Sequence, residues 1–366
     1  MTEFYCDAHG MNGLYNQLVR ASQDATQAVD YTKRHCDLSI TAEGYLMVLL
    51  GPHAKAYANM VKAIRKLSEL AQETGTQINA AQKDYAHTDA GAAARLDAGY
   101  PGAKDAAAVR GTLSQGRPDL WPQAPRSAFT DVAEPTSHLN NPEYATEIEM
   151  WSINPLADLI SPSAWLRQVS IWLFSYDPFE GWAKQFSGDW NAYVHCAVAW
   201  GHIGGACHDI GRNLVTGAQD VATVWRGNAA EAEQEYQLKL GGAAMGLKSA
   251  CAEYHALYTK AAESTKNLFE VVSGLMSQLL DILIIINAAG AVGTATIETI
   301  IGPVVGYSVA GYYIYQAYKL YEEISRFFGT ADNLIKAIAG TVESVEAKLA
   351  VDDLPQTQPY RHPAGY

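Results

Sequence analysis

Two long runs of three–four apolar spacing meet at one tripeptide, and that junction constrains the fold more than any other feature of the chain. The first run is Trp200, Ile203, Cys207, Ile210, Leu214, Gly217, Val221 and Val224. The second is Ala229, Ala232, Tyr236, Ala243, Leu247, Ala250, Tyr254, Leu257, Ala261 and Leu268. Such spacing places the apolar side chains along one side of a helix. Between the runs stands Trp225-Arg226-Gly227. Trp225 can lay a large ring across the open end of a helical pair. Gly227 supplies the tight backbone that a helix end wants. Asn228 and Glu231, at capping-box spacing, restart the chain as a helix. The chain is expected to double back here.

The N-terminal part repeats the theme. Met11, Leu14, Leu18, Ala21, Ala25, Ala28 and Thr32 form one stripe, and Tyr57, Val61, Ile64, Leu67, Ala71, Ile78, Ala81 and Tyr85 form another. Gly51-Pro52 reads as the start of the second helix, with proline at a position whose N–H is not needed. From Ala90 to about Pro142 the sequence is rich in Pro, Gly and Ser without a period, which reads as a linker that wraps or dangles. Beyond it, Ser161-Pro162 and Asp177-Pro178 each mark the start of a short helix. No alternating strand pattern of useful length occurs. The expected fold class is all-α, with two antiparallel helical-hairpin modules joined by a Pro/Gly-rich linker. The expected divisions are a hairpin at 1–90, a largely irregular linker at 91–147, a helical bundle with an apolar C-terminal hairpin at 148–350, and a disordered tail at 351–366.

Composition narrows the function. The 366 residues are 48% hydrophobic and 18% charged, with net charge −13. Phosphate binding needs clustered Lys and Arg, so nucleic acid is excluded as an expected partner. Anionic lipid surfaces are also a poor match, apart from local apolar insertion. The five cysteines show no C-x-x-C pair and no zinc-like spacing. A Cys207–Cys251 bridge is conceivable if the chain reverses at Trp225–Gly227, but small buried thiols are the favoured reading. His195, His202 and His208 share one expected helix; the first two lie about 10 Å apart along its axis, too far for joint metal binding. "GGACHDIG" follows no strand and is not a nucleotide loop. With no nucleophile–base pair, carboxylate pair or metal cluster, the expectation is a non-enzyme without metal or cofactor. "MTEFYCDAHG" has no basic region and no apolar core, so no cleavable leader is expected.

"WRG" between two helices resembles the W-x-G turn of the WXG superfamily, the small helical hairpins exported by actinobacterial type VII (ESX) secretion systems. The first module resembles the related ESX secretion-associated proteins, with "LLGPH" where the turn tryptophan would stand. The resemblance implies an export signal, Y-x-x-x-[DE], after the second helix of the hairpin, and "YAHTD" (Tyr85 to Asp89) occupies that place. With 21 Tyr and 39 acids about two such matches arise by chance, and three occur; only the position of Tyr85 is informative. The resemblance further implies a leaderless route out of the cytoplasm to the envelope or medium. It implies recognition by the secretion ATPase or a partner hairpin, and transport as a helical dimer or as an internal four-helix bundle. "FSGDWNAYVHCAVAW" followed by the W-x-G hairpin and an apolar tail is similar to the channel-like region of necrotizing-toxin precursors. Only "VDDLPQTQPYRHPAGY" follows Ala350, so no toxin domain is expected, and an adaptor for a separately encoded toxin is a further alternative.

Residues 271–318 are the most hydrophobic part of the chain. Thr299–Tyr318 holds twenty residues without a charge, nominally enough to span a bilayer. Glycines, Pro303 and five tyrosines dilute it, and buried core is the first reading. Conditional membrane insertion is the alternative.

Overall fold

The stripe that opens at Met11 becomes helix α1 (Met11–His35), which buries every one of its seven expected positions. The structure is a computed structural model, and it describes residues 4–38, 43–103, 107–109, 111, 128–152, 155–156, 164–288, 309–348 and 355. Its other α-helices of eight or more described residues are α2 (Tyr45–His87), α3 (Ala90–Asp97), α4 (Ala164–Phe174), α5 (Pro178–Phe186), α6 (Trp190–Val224), α7 (Asn228–Ala288) and α8 (Val309–Lys348). Two residues at each of two places, β1 (Tyr5–Cys6) and β2 (Trp225–Arg226), form a small antiparallel pair. The fold is all-α.

Side-chain contacts fix how the rods run. Ala218 meets Gln234, Gly204 meets Cys251, Trp200 meets Tyr254 and Tyr193 stacks on Tyr258, so α6 and α7 are antiparallel. Ser22 bonds Ser68 while Gly75 lies against Leu18, so α1 and α2 are antiparallel too. Gln17 reaches Asn213 and Tyr31 reaches His202, laying α1 along α6. Tyr45 and Lys55 of α2 meet Phe328 and Glu343 of α8, so those two run parallel. The result is a ring of five rods in the order α2, α1, α6, α7, α8, closed by α8 against α2. One continuous apolar core runs through both halves of the chain. At the α6–α7 seam, a Cβ on Gly211 would come within 2.5 Å of the Gly241 carbonyl oxygen. Only paired glycines allow backbones this close.

Two sequence expectations need correction. The second helix starts at Tyr45, not at Gly51-Pro52, and Pro52 lies inside it. Tyr45, Leu46 and Leu49 are buried, and Tyr45 packs edge-on to Phe186. Burying three such side chains, at about 1.5–3 kcal/mol each, outweighs the roughly 3 kcal/mol cost of an interior proline. "LLGPH" is therefore helical; the chain turns between Cys36 and Gly44, of which 39–42 lie outside the described residues. The stretch expected as linker also contains α3, and its residues 128–144 pack onto α1 and α6. Arg20 holds Asp131 and the Phe129 carbonyl, Asn213 binds Val132 and Ala133, and His138 bonds Asp209 at 2.9 Å. The Asp177 cap stands as expected at the start of α5. The Ser161-Pro162 start, the segment 289–308 and the tail other than Pro355 lie outside the described residues.

All five cysteines are free, and Cys36, Cys196, Cys207 and Cys251 are buried. Burial pushes the Cys207 thiol up to about 12, leaving it inert near neutral pH. His53 sits at the middle of the ring. Its Nε2–H donates to the Cys36 carbonyl at 2.8 Å, and its Nδ1 accepts from the Tyr258 hydroxyl at 2.7 Å. Burial pulls its pKa down to about 4. The unfolded chain therefore takes up this proton first, and stability held above about pH 6.5 is lost as pH falls toward 4. Burial raises Asp24 to about 6 and Glu233 to about 8, which acts in the opposite sense, so the comparison must be made at fixed background. Relative to His53→Gln, the wild type is expected to lose roughly 3 kcal/mol between pH 6.5 and 4 in urea unfolding.

Candidate functional site

The Trp225 turn is where distant parts of the chain converge. Trp225 leaves α6 in extended conformation, and its ring is 2% exposed. It lies against Tyr85, near the end of α2, with ring centroids 5.8 Å apart and nearly edge-on. Phe4 also packs on Tyr85, with ring centroids 5.6 Å apart. The β1–β2 pairing sets Tyr5 opposite Arg226 and Cys6 opposite Trp225, and the Asp7 N–H donates to the Val224 carbonyl at 2.7 Å. The N-terminal residues thus form a strap over the turn.

The two sequence motifs meet here, but not as expected. Tyr85 closes the second apolar stripe, and although the export-signal reading would have it exposed at a helix end, it is 9% exposed. Its ring forms part of the apolar lid over the indole, and local sequence gives no sign of that lid. Asp89 is exposed but not idle: its carboxylate caps α3, accepting from the Gly91 and Ala92 N–H groups at 2.9 and 3.1 Å. At the other end of α3, buried Asp97 turns its carboxylate to the start of α7. It accepts from the Asn228 N–H at 2.8 Å and the Ala229 N–H at 3.0 Å. The first four N–H groups of a helix want such acceptors, and an anion there also suits the helix dipole.

This replaces the expected Asn228–Glu231 capping box. The Asn228 N–H goes to Asp97, and the Glu231 N–H goes to the Gly227 carbonyl. The Asn228 amide instead donates to the carbonyls of Asp97 and Tyr100, pinning the end of α3. Gly227 is needed twice over. Its φ is +135°, and a Cβ there would lie 2.3 Å from the Asp97 carboxylate. Trp225 and Gly227 were singled out by sequence alone; Asp97, 131 residues upstream of Asn228, was not. Its only local sign is an acid at the end of a short Ala-rich run.

The expected histidines go to other contacts. His202 Nδ1 pairs with the Tyr31 hydroxyl, which donates to the Asn140 carbonyl, and His208 bonds Asp209. Among the described residues no three His, Cys, Asp or Glu side chains gather as a metal site. What the turn offers is a shaped protein surface. No family model, curated protein or solved structure matches the chain.

The Trp225 indole N–H is buried without a hydrogen-bond partner among the described residues, so the ring itself is what the site needs. Trp225→Phe is therefore expected to cost under about 1.5 kcal/mol and Trp225→Ala about 3–5 kcal/mol in urea unfolding. Gly227→Ala and Asp97→Ala are each expected to destabilise by about 1–3 kcal/mol. In the double variant the clash with Asp97 disappears, so a double-mutant cycle should show the two costs to be less than additive by about 1 kcal/mol.

Proposed function

We propose that the protein is a non-enzymatic type VII secretion substrate that acts through protein–protein recognition. One observation carries this reading: Tyr85 of "YAHTD" rests on Trp225 of "WRG", so a single chain brings together the two elements that the family resemblance assigns to the export signal. Antiparallel α1–α2 lies against antiparallel α6–α7, which supplies within one molecule the packing that a helical partner or second copy would otherwise provide. The partner would be the secretion ATPase, and the route leaderless. Tyr85→Ala is expected to abolish accumulation in the medium, while Tyr85→Phe, which keeps the ring on Trp225, retains it. Both are assayed in cells with and without the ATPase, with thermal midpoints alongside. Undiminished export of Tyr85→Ala removes Tyr85 from the signal.

A second reading is favoured by the far end of the molecule. Helix α7 has 61 residues and α6 has 35, so at 1.5 Å per residue α7 outruns its neighbour by roughly 40 Å. In its most apolar 18-residue stretch 28% of residues are buried. Val272, Met276, Leu279, Leu283 and Ile286 form one buried stripe, while Val271, Ile284, Ile285, Tyr312 and Tyr315 are exposed. An apolar face of this kind suits conditional insertion of the 271–318 segment into a bilayer. Full-length protein is then expected to release dye from phosphatidylcholine vesicles, and an Ile284→Asp/Ile285→Asp double variant to do so at least about tenfold less. Equal release by both proteins ends this reading.

A further inference from the structure

We propose that Arg226, seated on the ring of Tyr5, is the exposed group through which the Trp225 pole is captured, and that its counterpart is a carboxylate-bearing protein surface of the export machinery. The inference rests on the secretion reading and supplies what that reading lacks. Tyr85 and Trp225 are both buried, so an approaching partner cannot touch either one first. Of the residues that close over them, Arg226 is exposed and Tyr5 is 44% exposed.

Three contacts fix the arginine in place. Its backbone is paired with that of Tyr5 across the small sheet. Its Nε donates to the Ala222 carbonyl at 2.9 Å. Its guanidinium carbon stands 5.2 Å from the centre of the Tyr5 ring. An exposed arginine ordinarily loses considerable side-chain freedom when it binds; one already held loses less, which favours association. The Nε bond uses one of five N–H donors, and the two terminal nitrogens remain as a planar fork suited to a carboxylate. Among the described residues no carboxylate forms an ion pair with it, in a chain of net charge −13. Arginine and tyrosine are also the residue types that most often dominate interface energies.

The plain alternative is that Arg226 only caps the last turn of α6 through the Ala222 carbonyl. The two roles separate by experiment. Arg226→Gln keeps a donor for that carbonyl but removes the charge and the fork, while Arg226→Lys keeps the charge without the fork. Export of each full-length variant into the medium is measured beside its thermal midpoint. Capture by a carboxylate predicts a loss of export on the order of tenfold or more for Arg226→Gln, a partial loss for Arg226→Lys, and midpoints within about 2 °C of wild type. Export of Arg226→Gln equal to wild type overturns the assignment, as does a loss that merely follows a falling midpoint. Failure of the wild type itself to be exported in an ATPase-dependent manner overturns the secretion reading and this inference with it.

Discussion

A carboxylate filling the space where Gly227 has no side chain holds the architecture at the Trp225 pole. Asp97 reaches through that gap to the first N–H groups of α7, and by doing so joins the end of α3 to the start of the longest helix. Because Asp89 caps the same short helix at its other end, α2 and α7 are linked by one rigid helix of about two turns. A single positive-φ residue thus serves both the reversal at Trp225 and the connection between the two halves. The strap of residues 4–7 then has a fixed surface to lie on.

A buried polar cluster sets the register further along the ring. Gln17 donates to the Asn213 carbonyl, Gln237 points an amide at Gln17, and Gly217 leaves the space in which the Gln17 amide sits. Three helices must agree in height for these two hydrogen bonds to form, which apolar packing alone does not require. The glycine seam between α6 and α7 and this cluster act together. One permits close approach, and the other decides which residues meet.

Much of this was legible in the residues themselves. The Met11–Thr32 stripe, the reversal at Trp225–Gly227 and the Asp177 cap are all local signals, set by side-chain period or by the chemistry of one turn. The α7 stripe was read less well. Ala232, Tyr236 and Ala243 are only partly buried, whereas Leu238, Leu240, Ala244 and Tyr258 are fully so. A helix enclosed by neighbours on more than one side buries a broad arc, and a single-stripe reading misplaces its centre. The Asp97 cap and the seating of Tyr85 on Trp225 were out of reach for a different reason. Each depends on a partner more than a hundred residues away, and nothing beside either residue in the sequence encodes that partner. The early start of α2 likewise follows from Phe186 and Phe328, not from the local Gly-Pro.

The unequal lengths of α6 and α7 give the molecule a mechanical polarity. A pull applied at the tight turn loads both rods along their axes together, so they yield only by sliding many contacts at once. A pull at the opposite extremity meets two rods that lack most of their neighbours and can be peeled apart contact by contact. Threaded through a narrow opening, the same fold would resist strongly from one direction and give way readily from the other.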